Sequence, residues 1–146
     1  MEQLVNVLKK QQQLLDQLLG LTKQEQEAII ARNTELLKIS LKGKEQLTAE
    51  LQRLEKERCA LTGTQNCRSL AAAAGKQAEL LEALRQSLHN QLQELKHLTT
   101  TNNLLLKTEL ACFQAVQEAL GLQSTYTDKG TLTKNADRLP LVSRQA

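Results

Sequence analysis

The residues best equipped for chemistry are few and badly placed for it. His89 and His97 are the only histidines, and eight residues separate them. On a helix that spacing is about 12 Å, so the two rings cannot hold one metal ion, and no cysteine or carboxylate pair completes a site beside them. Both read as solvated surface residues. Cys59, Cys67 and Cys112 are odd in number and unrelated in spacing. They read as free thiols of a reducing compartment, with Cys59 and Cys67 able to meet across a loop. There is no glycine-rich phosphate loop and no G-x-S-x-G, and Gly63, Gly75, Gly121 and Gly130 stand alone as punctuation. No catalytic residue, metal or cofactor is expected. The chain reads as a protein that acts by binding and is not an enzyme.

The elements available for binding follow from the apolar residues. Of 146 residues, 40% are apolar, but leucine dominates and there is no Trp; Phe113 and Tyr126 are the only Phe and Tyr. A compact globule usually anchors its core on several large aromatics, whereas leucine and alanine suit long helices packed side by side. The only proline is Pro140. The net charge of +3 comes from 19 basic and 16 acidic residues of mixed order, as on solvated helix faces. That is too weak for a phosphate footprint, and there are no aromatics to stack on bases, so no nucleic-acid partner is expected. No apolar run approaches the ~20 residues of a membrane span, so no membrane insertion is expected. MEQLVNVLKKQQQ has no cationic segment followed by an apolar one, so the chain is expected to stay in the cytoplasm where it is made.

Leu8, Leu15, Thr22 and Ile29 recur every seven residues, with Leu4 and Leu18 beside them. This stripe predicts a first helix over about 2–32, with Gly20 as its weak spot. Asn33-Thr34 breaks the pattern and offers a left-handed or capping residue. The stripe resumes through Leu37, Leu41, Leu47, Leu51, Leu54 and Leu61, a second helix over about 34–61. A short connection between two stripes makes the pair an antiparallel hairpin. Thr62-Gly63-Thr64 ends it. Cys67–Ala74 suggests a short alanine-rich helix, and a third stripe runs from Leu81 to Leu120, predicting one long helix over about 77–121. Thr99-Thr100-Thr101-Asn102-Asn103 has poor helix propensity, so a break there is the alternative. The expected fold is therefore all-α: an elongated antiparallel three-helix, coiled-coil-like bundle over 1–122. It has a long third helix, no β-sheet, and a flexible C-terminal tail over 123–146 with room for a short helix around Leu132–Leu139.

A third helix of that length outruns the hairpin at about Leu105. Leu106, Leu110, Phe113, Val116 and Leu120 keep their apolar spacing beyond that point. A bare stripe of this kind is a partner-binding site or an oligomer seam, which leaves a homodimer open. The alternative is a helix that folds back near residue 102 and buries them. Tyr126, just past the helix, is either a hydrophobic stop packed on Leu120 or Leu122, or an amphipathic contact residue on the tail.

These features resemble a known family. Leu18-Leu19-Gly20-Leu21-Thr22-Lys23-Gln24-Glu25-Gln26-Glu27-Ala28-Ile29-Ile30 is similar to the first helix of the FlgN-type flagellar export chaperones. Glu35-Leu36-Leu37, leading into Lys44-Glu45-Gln46-Leu47, looks like their second helix, and Leu98 to Leu106 with Asn102-Asn103 like the middle of their third. Ala119-Leu120-Gly121-Leu122, followed by Thr125-Tyr126-Thr127-Asp128-Lys129-Gly130, resembles their end signature, with Thr127 where a glycine is common. The resemblance runs over roughly 2–135. It implies a cytoplasmic chaperone that binds C-terminal helical segments of the hook-associated (hook–filament junction) proteins, prevents early assembly and delivers them to the type III export gate. It implies too that Tyr126 docks on the cytoplasmic domain of that gate. The rival reading is a generic coiled-coil scaffold or adaptor, or a structural secretion component.

Overall fold

A computed structural model describes residues 1–63, 72 and 75–121, and the backbone of 124–126 and 132–134. The fold is all-α in its long elements: α1 is Glu2–Ile30, α2 is Thr34–Thr62, and α3 is Ala78–Ala119, preceded by a 3₁₀ turn over Gly75–Gln77. The short helix expected over Cys67–Ala74 lies outside the described residues, apart from Ala72. So does most of the tail over 123–146.

Two units make up the chain, Met1–Asn103 and Leu104–Ala146. In the first, side-chain pairs give the helix directions. Gln11 bonds Glu55, Leu21 lies against Gly43, and Glu25 pairs with Lys44, so α1 and α2 run antiparallel. Gln12 bonds Ser87, Asp16 bonds Gln91, and Thr22 bonds Asn102, so α1 and α3 run parallel. The bundle is up-down-up, as the stripes predict.

The α1–α2 turn is built from two caps in succession. Arg32 takes a left-handed conformation (φ 53°), its N–H donates to the Ile29 carbonyl, and the Asn33 N–H donates to the Ala28 carbonyl. Those two bonds satisfy carbonyls that the end of a helix would otherwise leave open. Asn33 is extended and its Oδ1 accepts from the Leu36 N–H at 3.0 Å, capping α2. The sequence offers Asn33 for either task; the chain gives the left-handed one to Arg32 and the capping one to Asn33.

Burial is unequal. Leu4, Val5, Val7, Leu8, Leu15, Leu18, Leu19, Ala28 and Ile29 of α1 are all buried, whereas the only buried apolar residues of α2 and α3 are Leu54, Leu81 and Leu84. Helix α1 is thus the central helix, flanked by α2 and α3. Leu4, Val5, Leu8, Leu81 and Leu84 form one apolar cluster, with Leu88 packed against it. Farther along, the buried side chains turn polar: Thr22, Glu25, Ser40 and Asn102.

Helix α3 is unbroken through Thr99–Asn103. The threonines there and farther on tolerate it because Thr100, Thr101 and Thr108 each donate a hydroxyl to the carbonyl four residues back, at 2.9–3.0 Å. The break offered as the alternative over Thr99–Asn103 is therefore absent. The helix ends at Gly121, whose φ of 68° suits glycine, with its N–H on the Glu118 carbonyl.

The second unit corrects one expectation. Ser124–Tyr126 (β1) and Leu132–Lys134 (β2) pair antiparallel, with Tyr126 opposite Leu132. A pair of short strands stands where no β-sheet was expected; of the short helix expected around Leu132–Leu139, Leu132–Lys134 is strand and the rest lies outside the described residues. The signal for the strands is local: Thr, which favours strands, lies on both sides of the turn-forming types Asp128-Lys129-Gly130, with Tyr126 on the first side.

Candidate protein-binding surfaces

The last turns of α3 carry the first candidate surface. Leu106, Leu110, Phe113, Val116 and Leu120 recur at steps of three and four, which places them within an arc of about 120° on an α-helix. All five are exposed, Phe113 at 60%. Between them stand small or polar residues such as Thr108, Ala111, Gln114 and Gln117, and the charged Lys107, Glu109 and Glu118. A helix face this apolar and this accessible is what an amphipathic partner helix packs against. Leu104 is also exposed at 65%, but its position puts it on the opposite side of the helix from the stripe. Tyr126 sits in β1 as the partner of Leu132, so the residue singled out for docking belongs to a strand and not to an irregular tail.

A second surface was not foreseen. In the first unit Leu8 and Leu15 of α1, Leu51 of α2, and Leu88 and Leu92 of α3 line an apolar groove of about 380 Å³, with Gln11, Glu55 and Arg58 at its rim. The sequence reads all these leucines as core, because stripe spacing marks a face that will be covered but not how completely. At the rim Arg58 forks onto both oxygens of Glu55 at 2.6 and 2.9 Å, and Gln11 donates to Glu55 at 3.1 Å. The Arg58 bonds hold the Glu55 carboxyl below its ordinary range, against the opposing pull of partial burial, with Gln11 adding to the shift. The rim is therefore charged but internally neutralised.

The remaining reactive residues stay apart. His89 contacts Gln93 on the exposed face of α3, and among the described residues no cluster of three His, Cys, Asp or Glu side chains could hold a metal. Cys59 and Cys112 are exposed free thiols; Cys67, the suggested neighbour of Cys59, lies outside the described residues. No described helix is long and apolar enough to cross a membrane.

A helical bundle with an open apolar helix face is a candidate protein-binding module. The chain belongs to the FlgN family, whose model, described as FlgN protein, matches residues 1–134. That family is one of flagellar export chaperones. No curated protein and no solved structure matches the chain.

Proposed function

We propose that this chaperone captures the C-terminal helical segments of the hook–filament junction proteins in the cytoplasm, keeps them from assembling early, and hands them to the type III export gate. It acts by binding alone, with no covalent step. The observation that carries this reading is the open stripe of Leu106, Leu110, Phe113, Val116 and Leu120. A junction-protein helix laid along it would bury apolar residues of both partners, and chaperone and cargo would protect each other from wrong contacts. In this reading residues 1–122 hold cargo and residues 123–146 present Tyr126 to the gate's cytoplasmic domain.

Replacing Phe113 and Val116 by Asp tests the cargo surface. Capture of a junction-protein C-terminal segment is expected to be lost, while helical signal and melting temperature stay near wild type. An unfolded double variant would return the stripe to the core and end the proposal; a wild-type protein that uses the stripe only to dimerise would end it too. Tyr126→Ala tests the gate separately. Cargo binding is expected to persist while gate affinity falls about thirtyfold, roughly the 2 kcal/mol of an aromatic anchor. Titration against the gate's cytoplasmic domain with cargo present reads this directly, and unchanged affinity removes Tyr126 from the docking surface.

A further inference from the structure

The apolar stripes of α1 and α3 leave one question that leucines cannot answer. Nothing in a run of similar leucines says which turn of α3 belongs beside which turn of α1. Within Met1–Asn103 the heptad series of α1 is Leu8, Leu15, Thr22, Ile29, and that of α3 is Leu81, Leu88, Leu95, Asn102. Each contains a single polar residue, and the structure brings those two together. Asn102 Nδ2 donates to the Thr22 carbonyl at 3.0 Å, and the Thr22 hydroxyl donates to the Leu18 carbonyl at 2.7 Å. Thr22 is 0% and Asn102 1% exposed.

We infer that Asn102 is the register pin of this bundle: it fixes the axial position of α3 on α1, and thereby which apolar residues of α3 are covered and which are left open. The physical case is one of negative selection. Sliding α3 by a heptad sets the Asn102 amide against Leu15 or Ile29, and sliding it back by one turn sets it against Leu18 or Leu19. Those side chains are bulkier than Thr22 and crowd the carbonyls behind them, so the buried amide loses its partner and its desolvation goes uncompensated. Leucines of α3, by contrast, still have apolar residues of α1 within reach in these registers. Apolar packing therefore discriminates poorly between registers and the polar pair discriminates well, as a single buried Asn does in coiled coils. The arrangement is tuned for uniqueness more than for stability: Asn102 Oδ1 is buried with no hydrogen-bond partner among the described residues. A core optimised only for stability would place a leucine there.

Distance measurement between spin labels at Glu27→Cys on α1 and Gln86→Cys on α3 reads the register, in a background with Cys59, Cys67 and Cys112 changed to Ser. Both label sites are exposed and lie far apart along the helices, so axial sliding changes their separation almost one for one. The parent is expected to give one narrow distance. N102L is expected to give a broadened or multiple distribution with undiminished helical signal. N102L/L98N moves the amide one turn earlier in α3, so the helix should advance to return it to Thr22, shortening the label distance by about 6 Å. A single parental distance in N102L, or an unshifted distance in N102L/L98N, overturns the inference. The second variant decides the matter even if N102L proves poorly folded.

Discussion

The two halves of α3 carry the same pattern and meet opposite fates. Between Leu81 and Leu98, leucines at steps of three and four lie against α1, Leu92 apart; Leu81 and Leu84 are buried and Leu88, Leu95 and Leu98 half-buried. Between Leu106 and Leu120 the same spacing leaves every apolar residue of the stripe exposed. Amphipathic spacing specifies that a helix face is to be covered; it does not specify whether the cover comes from the same chain. In the proposed function that distinction decides where cargo binds, because the uncovered half is free to pack on something else.

The sharpest way to break this comparison is to truncate one residue from each half. Leu81→Ala opens a hole at a site with no solvent access and is expected to cost about 3 kcal/mol in denaturant unfolding. Leu110→Ala removes the same atoms from a surface and is expected to cost less than about 0.5 kcal/mol. Equal losses would mean that both halves are core. Leu92 tests the boundary case. By sequence it belongs to the covered half, yet it is 52% exposed at the edge of the apolar groove. Its truncation to Ala is expected to cost about 1 kcal/mol, between the two extremes. A loss as large as that of Leu81 would show that the groove is closed in solution.

How much of this was legible in the sequence follows the same line. The three long helices are plain in the leucine stripes, and so is the break at Asn33, since heptad spacing and capping types are local properties. The open stripe follows from a length argument, because α3 is longer than the arms of the hairpin. The groove was not legible: it depends on how far α2 and α3 spread around α1, a tertiary quantity that no single helix records. Nor was the meeting of Thr22 with Asn102, since each residue alone reads as an ordinary member or a weak spot of its stripe. The β1–β2 hairpin was missed for a different reason. Three-residue strands are too short to show a period, and their signal lies in residue type alone.

The finest comparison lies within the covered part, between two glycines of the α1–α2 hairpin. Gly20 is in the middle of α1, exposed, and a Cβ built there meets nothing within 4 Å. Gly43 is in α2 facing α1, and a Cβ built there comes within 2.8 Å of Leu21 Cδ1. Both carry the same intrinsic cost, since glycine in a helix interior is worth about 1 kcal/mol less than alanine. At Gly20 nothing offsets the gain, so Gly20→Ala is expected to stabilise the hairpin by about that 1 kcal/mol, read as a raised denaturation midpoint with unchanged slope. At Gly43 the methyl must displace the end of the Leu21 side chain, which has to leave its rotamer or push the helices apart. An off-rotamer side chain costs roughly 0.5–1.5 kcal/mol, about as much as the helix propensity returns, so Gly43→Ala is expected to be close to neutral. Adding Leu21→Ala should remove the obstruction: Gly43→Ala measured in that background should then recover a gain like that at Gly20. If Gly43→Ala stabilises as strongly as Gly20→Ala with Leu21 intact, the close approach of the two helices at this level does not hold, and glycine there is an accident of sequence instead of a fit.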